Sequence, residues 1–182
     1  DIQSVQCDDG GEFLNISLHS SLGEHGTALR LSCPHTSPQN GKAERAIRST
    51  NDILRTLLVQ ASMPPKFWVE ALHTATYLLN IRPSRAINHN TPYFMLYGTH
   101  PNYDHIRTFG CLCYPNLYAT TPHKLSARST PCVLLGIPLE HKGYRCLDIS
   151  TRKVITSRHV IFNEHIFPFA TENPTAPSPA SP

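Results

Sequence analysis

The sequence predicts a mixed α/β fold in which a helical α/β region is followed by a small β module. Two stretches, from Lys42 to Ala61 and from about Lys66 to Asn80, show the 3.6-residue periodicity of amphipathic helices. Beyond about Thr108 the pattern changes to short β-like runs that turn residues separate. A chain of 182 residues has room for one domain of ordinary size and a smaller second one.

The first forty residues predict short elements. Residues 2–7 alternate weakly and end in Asp8-Asp9-Gly10-Gly11, which is typical of a strand leading into a glycine turn. A short helix is expected within residues 12–26, and a strand over residues 28–33. The stretch PHTSPQNG that follows has the composition of a loop.

Each of the two predicted helices has one apolar face. Asn40 can cap the first helix, and Pro64-Pro65 ends it. Its apolar face comprises Ala43, Ala46, Ile47, Thr50, Leu54, Leu57, Leu58 and Ala61. The second helix is expected to bury Phe67, Trp68, Ala71, Leu72, Ala75, Leu78 and Leu79. The spacing of Phe67 and Trp68 favours core packing over stacking on nucleic-acid bases.

The C-terminal third predicts a small β-barrel or SH3-like module of roughly 60 residues. Its runs are TFGCLCY, PCVLLGI, GYRCLDI and KVITSRHVIF, and Ser150-Thr151 is a plausible hairpin tip. Cys111 and Cys113 are expected on the same side as Phe109, as small core residues. After Ala170 the chain is rich in Pro, Ser, Thr and Ala, which predicts an extended linker.

Composition excludes several classes of protein. With 40% hydrophobic and 16% charged residues the chain can bury a core, so disorder throughout is excluded. No apolar run approaches the roughly 18 residues of a membrane span, and no signal peptide is evident. The six cysteines form no Cys-x-x-Cys pair, which suits a reducing compartment better than a disulfide framework. Because the chain opens at Asp1 within a strand pattern, we expect it to be a piece of a longer protein.

Charge is distributed unevenly around two carboxylates. Thirty-five residues separate Asp8, at the end of a predicted strand, from Glu44, in the first turn of the first long helix. Residues 41–60 carry the basic side chains Lys42, Arg45, Arg48 and Arg55. Carboxylates that hold Mg²⁺, with cations that hold phosphate, are what phosphodiester chemistry needs. The structural alternative is that Asp8 opens an Asx turn, Glu44 complements the helix dipole and the cations form a solvated face.

Longer motifs reveal a family resemblance. The sequence contains CDDGGEF, then SPQNGKAER, then LLVQASMPPKFWVEALHTATYLLNIRPS and finally TPYFMLYGTHPNYDHIRTFGCLCY. In this order they resemble the integrase of copia-type LTR retrotransposons, over nearly the whole chain up to about Phe169. The most specific pieces are the DxGGEF box, the PQNGxAER box and the FW-EA helix. A ribonuclease H proper would share the fold, but the PQNGxAER box favours integrase.

The resemblance implies a ribonuclease-H-like core with an Asp, Asp, Glu triad that binds Mg²⁺ or Mn²⁺. By matching motifs, Asp8 would be the second aspartate and Glu44 the glutamate, both as catalytic metal ligands. The residues expected to contact DNA are Gln39, Asn40, Lys42, Arg45, Arg48 and Arg55. For Gln39 and Asn40, ordinary loop and cap chemistry is an equal alternative to contacts with DNA ends.

The resemblance also divides the chain. Residues 1–102 would be the C-terminal half of the catalytic core, residues 103–169 the SH3-like module and residues 170–182 a Pro/Ser-rich linker. The parent activity would be metal-dependent DNA 3′-processing and strand transfer by a polynucleotidyl transferase. The expected partners are element-end and target DNA and further copies of the intact integrase, which would act in the nucleus, with no membrane involved.

Two departures from the family pattern limit what this chain is expected to do. The family's first catalytic aspartate and its His/Cys zinc module would lie upstream of Asp1, and no residue of this chain can replace that aspartate. Asp9 stands where Asn is common, and Gln6-Cys7 where Arg-Ser is common. We therefore expect no catalysis by this chain alone. The alternative function is that of a noncatalytic DNA-binding or interaction remnant of a degenerate element.

Overall fold

A computed structural model describes residues 2–8, 10–11, 13–33, 40–117, 127–138 and 142–172. The chain divides into two compact units, Asp1–Ser49 and Thr50–Pro182. Both helices and strands are present, so the expected mixed α/β class is confirmed. Within the described part of the chain, no helix combines the length and the hydropathy that a membrane span requires.

The first unit contains a pair of parallel strands connected by a helix. Strand β1 (Ser4–Cys7) pairs with β2 (Ala28–Leu31), in a register that joins Ser4 to Ala28 and Cys7 to Leu31. Helix α1 (Ile16–Glu24) begins after Asn15, whose Oδ1 accepts a hydrogen bond from the Leu18 amide at 2.7 Å. This is the side-chain cap that helix N-termini favour. All three elements match the elements predicted from the sequence.

Helix α2 (Gly41–Gln60) matches the first predicted long helix. Its C-terminus lies in the second unit, where Ser62 has a left-handed φ of 51°. The Met63 amide donates to the Leu58 carbonyl at 2.9 Å, and the Ser62 amide to the Val59 carbonyl at 3.0 Å. This is the Schellman pattern, with Met63 and Leu58 in one core cluster as its usual hydrophobic contact. The helix therefore ends before Pro64.

The apolar face of α2 is buried only at its C-terminal end. Leu58 and Ala61 are buried, and Leu54 and Leu57 pack against the same cluster. Ala43, Ala46 and Ile47 are exposed, with Ile47 at 61%, so the N-terminal part of the predicted apolar face is not buried. Helical periodicity identifies a face but does not identify what covers it.

Helix α3 (Trp68–Ile81) follows a 3-10 turn at Pro65–Phe67 and matches the second predicted helix. Ala71, Ala75 and Ile81 are buried. Trp68 is 54% exposed, so its predicted place in the core is wrong. Phe67 packs against the core instead, with its ring centroid 5.5 Å from that of Phe169.

A loop with helical turns follows α3. It contains a 3-10 turn at Arg85–Ile87 and helix α4 (Pro92–Tyr97). The Thr91 hydroxyl accepts a hydrogen bond from the Phe94 amide at 3.0 Å and caps α4. The segment then leads to the β module.

The β module is a five-stranded antiparallel sheet. Its strands are β3 (Leu112–Pro115), β4 (Cys132–Gly136), β5 (Tyr144–Asp148), β6 (Val154–Ser157) and β7 (Val160–Asn163). Their order across the sheet is β6-β5-β4-β3-β7, so the last strand lies beside the first. The run KVITSRHVIF forms two strands separated at Arg158 and His159, and Ser150-Thr151 lies in the predicted β5–β6 turn.

Both faces of the sheet are covered. Val133, Leu135 and Leu147 share one core cluster with the end of α2 and with α3. Cys111, Cys113, Cys132, Leu134 and Cys146 form a second cluster and are almost completely buried. Successive residues of β4 alternate between the two clusters, as the period of two requires.

The cysteines are core residues as predicted, but Phe109 is not on their side. It belongs to the first cluster, whereas Cys111 and Cys113 belong to the second. The physical reason is Gly110, whose φ of 77° turns the chain between Phe109 and Cys111. The strand begins only at Leu112, so alternation cannot be extended back to Phe109.

Helix α5 (Pro168–Glu172) follows β7, at the beginning of the segment expected to be a linker. Residues 173–182 lie outside the described residues. The predicted domain boundaries after residues 102 and 169 stay predictions. The division into compact units falls at Ser49, within α2.

Candidate functional site

Asp8 directly follows β1 and is exposed. Its Oδ1 accepts a hydrogen bond from the Gly10 amide at 3.3 Å. This is the Asx-type contact that the structural alternative expects at the start of a glycine turn. The strand end thus presents a carboxylate to solvent, next to the Gly10-Gly11 turn.

Glu44 lies in the first turn of α2 and is exposed. A carboxylate at this position is favoured by the positive end of the helix dipole. Lys42, Arg45 and Arg48 on the same turns of the helix are also exposed. The ion pairs found among the described residues do not involve any of these four side chains. All four side chains are exposed to solvent.

The remaining predicted site residues are distributed as follows. Asn40 directly precedes α2 and is half-buried. Gln39 lies outside the described residues. Arg55 is exposed on the part of α2 that belongs to the second unit.

The metal site implied by the family resemblance is incomplete among the described residues. Carboxylate oxygens are the donors that Mg²⁺ prefers, so Asp8 and Glu44 have suitable chemistry. The described part of the chain contains no group of three or more His, Cys, Asp or Glu side chains close enough to hold a metal ion. Among the described residues, Asp8 and Glu44 therefore do not form a metal site with a third ligand. A metal-binding role for these two residues stays a prediction.

The β module carries several exposed cations. Lys142, Lys153 and Arg158 are exposed, whereas Arg145 forms an ion pair with Glu70 of α3 at 3.5 Å. The cations of this module are therefore partly directed to solvent and partly used for internal packing. Exposed cations of this kind permit contacts with a nucleic-acid backbone.

Sequence reasoning missed Asp148 at the end of β5. Its Oδ1 accepts hydrogen bonds from the Ser150 hydroxyl at 2.7 Å and from the amides of Ser150 and Thr151 at 2.8 and 3.0 Å. The Ser150 hydroxyl, followed by these amides, lowers the pKa of Asp148 to about 2. The signal was present in the sequence, since Asp followed by Ser two positions later is typical of an Asx turn.

A cavity of about 460 Å³ in the second unit was also missed. It is lined by residues of α3 and of the β module, among them Tyr77, Leu78, Phe109, Leu134 and Tyr144. No local motif identifies it, because its walls come from segments that are far apart in the sequence.

Comparison with known families identifies the β module. Residues 111–175 match the family model of the retroviral polymerase SH3-like domain. The match covers strands β3 to β7, which form the five-stranded sheet. The C-terminal part of the chain is therefore similar to the retroviral polymerase SH3-like domain.

Curated relatives extend the identification to nearly the whole chain. The chain is 40% identical to the retrovirus-related Pol polyprotein from transposon RE2 of Arabidopsis thaliana, over 94% of this chain and 12% of that protein. It is 42% identical to the corresponding polyprotein from transposon RE1 of the same plant, over 93% of this chain and 11% of that protein. The chain is homologous to the integrase region of retrotransposon Pol polyproteins, and the resemblance stated from its motifs is confirmed at this level. It spans only about one eighth of the length of these relatives.

One solved structure similar to this chain is a cryo-EM structure of the simian T-cell lymphotropic virus intasome in complex with PP2A regulatory subunit B56 gamma. The alignment covers 87% of this chain and 56% of the other, with a TM-score of 0.46 and 14% sequence identity.

Proposed function

We propose that this chain is the C-terminal half of a ribonuclease-H-like catalytic core of a copia-type integrase, followed by its SH3-like module. The activity of the parent protein would be metal-dependent 3′-processing of element DNA and its transfer into target DNA. Homology to the integrase region over 94% of the chain supports this assignment. The order of the DxGGEF, PQNGxAER and FW-EA motifs within the aligned residues agrees with it.

In this proposal Asp8 and Glu44 hold the metal, and Glu44 also assists proton transfer. When bound, Mg²⁺ would activate the attacking oxygen and stabilise the leaving one. The cations Lys42, Arg45, Arg48 and Arg55 hold phosphates, which positions DNA without reading its sequence. Gln39 and Asn40 contact the DNA ends from the loop before α2. In the intact protein these roles operate in a homo-oligomer.

For the chain by itself we propose DNA binding without catalysis. The chain contains only two of the three carboxylates that the family resemblance implies. The observation that carries the DNA-binding proposal is that Lys42, Arg45 and Arg48 are exposed on the same turns of α2 as Glu44 and belong to none of the ion pairs found among the described residues. Such cations gain affinity for duplex DNA by releasing its condensed counterions.

Fluorescence anisotropy on a labelled DNA duplex tests this proposal. The Kd should rise steeply with salt, and the double variant Arg45→Ala/Arg48→Ala should reduce the slope of log K against log salt by about 2. The matched control is Arg82→Ala/Arg85→Ala, which removes the same charge from two exposed arginines beyond α3. Equal loss in both variants, or a binding constant that salt does not change, would contradict the assignment of the interface to α2.

The same titration separates a metal-binding core from a noncatalytic remnant. If Asp8 and Glu44 bind Mg²⁺ next to DNA, Mg²⁺ strengthens binding and Asp8→Asn abolishes that increment. A remnant that binds only through its cations gives the same Kd for the wild type and the variant once the ionic strength is matched. A Ca²⁺ arm at equal ionic strength distinguishes specific metal binding from screening.

A further inference from the structure

The cavity of the second unit lies where α3 packs against strand β4. Its volume of about 460 Å³ is within the range of ligand sites in proteins, about 300–1,000 Å³. Thr74 on α3 and Gly136 on β4 both line it. A Cβ atom on Gly136 would lie 2.8 Å from the Thr74 hydroxyl, so the absence of a side chain at this position allows the two elements to approach. The cavity therefore lies at the interface between α3 and the sheet.

Most of the wall is apolar or aromatic. Leu78, Phe109 and Leu134 contribute to it, together with the rings of Tyr77 and Tyr144. The hydroxyls of both tyrosines are already bonded to His105: Tyr77 to its Nε2 at 2.5 Å, and Tyr144 to its carbonyl at 3.0 Å. These rings therefore offer apolar surface to a ligand, and burying an apolar side chain against them is favourable.

One end of the cavity is polar and rigid. The Arg107 Nη1 donates to the carbonyls of Asp104 and Ile106, and its guanidinium lies 5.3 Å from the Phe162 ring centroid. The Glu164 Oε2 accepts hydrogen bonds from the Thr108 amide and hydroxyl. Arg107 is thus held by two backbone carbonyls and the Phe162 ring, and Glu164 is held by Thr108.

The contact between the two charges is loose. Arg107 Nε and Glu164 Oε1 are 3.9 Å apart, which is longer than a hydrogen bond. Both side chains keep about a third or more of their surface exposed, at 34% and 40%. The polar end therefore presents a donor and an acceptor side by side, in the arrangement that a peptide amide group satisfies with its C=O and N–H.

The charges at this end select against nucleic acid. Glu164 neutralises Arg107 and would repel a phosphodiester. Among the described residues that line the cavity, Arg107 is the one arginine and there is no lysine. We infer that this cavity binds a short neutral peptide segment of a partner protein, holding one large apolar side chain between α3 and β4 and pairing the adjacent amide group with Arg107 and Glu164. This inference does not depend on the proposed DNA-binding role of α2.

The test is an NMR titration of the full chain with N-acetyl-phenylalaninamide. The amides of Thr74, Thr108 and Gly136 should shift in a saturable manner. Thymidine 5′-monophosphate, at matched concentration and ionic strength, should leave them unchanged. Preferential binding of the nucleotide, or no shift at these three amides with the peptide probe, would overturn the proposal.

Variants then locate the contact. Glu164→Gln retains an acceptor for Thr108 but loses the charged acceptor for the ligand, and it should weaken the probe about tenfold. Glu24→Gln, an exposed carboxylate on α1, is the matched control and should not change the Kd. His73→Trp places a bulky ring at the exposed margin of the cavity, so it tests the site without disturbing the Thr108–Glu164 contact. Unchanged binding in both cavity variants, with their thermal unfolding unaltered, would contradict the inference.

Discussion

Gly110 lies against Ala61 so closely that no side chain fits between them. A Cβ atom on Gly110 would overlap the Cβ of Ala61 and would lie 3.1 Å from the Met63 sulfur. Gly110 also has a φ of 77°, and its amide donates to the Leu134 carbonyl at 2.9 Å. One glycine thus joins the C-terminus of α2 to the sheet and turns the chain between the two core clusters.

We expect Gly110→Ala to lower the free energy of unfolding of the second unit by about 2–4 kcal/mol. Both the overlap with Ala61 and the left-handed φ contribute to this cost. Urea unfolding followed by the fluorescence of Trp68, the single tryptophan, measures it. Gly23→Ala is the control, because a Cβ there meets nothing within 4 Å and the residue is helical. Equal stability of Gly110→Ala and the wild type would show that this packing is not required.

Asp148 should make the β module sensitive to acid. Because its folded pKa of about 2 is below the ordinary value of about 3.9, its stabilisation is complete above pH 4 and is lost as the pH falls through about 2. Asp148→Ala should cost about 1–3 kcal/mol at pH 7. Asp148→Asn keeps an acceptor for the turn but cannot titrate, so its unfolding free energy should fall less between pH 4 and pH 2. Parallel pH curves for the wild type and Asp148→Asn would refute the assignment.

Native-state thiol labelling should reveal one rapidly reacting cysteine. Cys33 is exposed, whereas the other five of the six cysteines are buried. Burial raises the pKa of both Cys111 and Cys132 to about 12, so at pH 8 only about one molecule in ten thousand carries either thiolate. Reaction with a chromogenic disulfide should release about one equivalent quickly, and Cys33→Ser should remove that phase. Rapid release of four or more equivalents would mean that the second cluster is open.

Glu44→Gln should not change strand transfer by the isolated chain, because no activity is expected from it in the first place. Only two of the three carboxylates implied by the family resemblance lie within this sequence. An oligonucleotide strand-transfer assay in Mg²⁺ and in Mn²⁺ measures the activity. Metal-dependent strand-transfer product from the wild-type chain would contradict the prediction, whatever the variant does.

Elements with strong local signals could be predicted from the sequence. Periodicity identifies α2 and α3, and the Pro64-Pro65 stop is local chemistry. The five strands follow from β-rich runs and turn residues, although only the structure shows the break at Arg158 and His159. The prediction placed Trp68 in the core wrongly, because helical periodicity does not show how far along the helix the neighbouring elements cover its apolar face.

The candidate site was only partly accessible to sequence reasoning. The motifs identify Asp8 and Glu44 because those residues belong to contiguous boxes with family-specific spacing. The cavity has no such box: Tyr77, Arg107, Leu134 and Glu164 come together only through the packing of α3 against the sheet. Predicting the cavity would require the tertiary fold, since contacts between residues so far apart in the sequence produce no periodic pattern.

The position of β7 has a consequence for synthesis of the protein. Strand β3 pairs with β4 on one side and with β7 on the other, over the register Leu112↔Asn163 to Pro115↔Val160. While a ribosome is still translating β6, the edge of β3 that β7 will occupy has no neighbour, and pairing across so long an interval is slow. The module can complete its sheet only after Asn163 has left the exit tunnel. A nascent chain that stalls before this point carries an unpaired strand edge open to association with other chains.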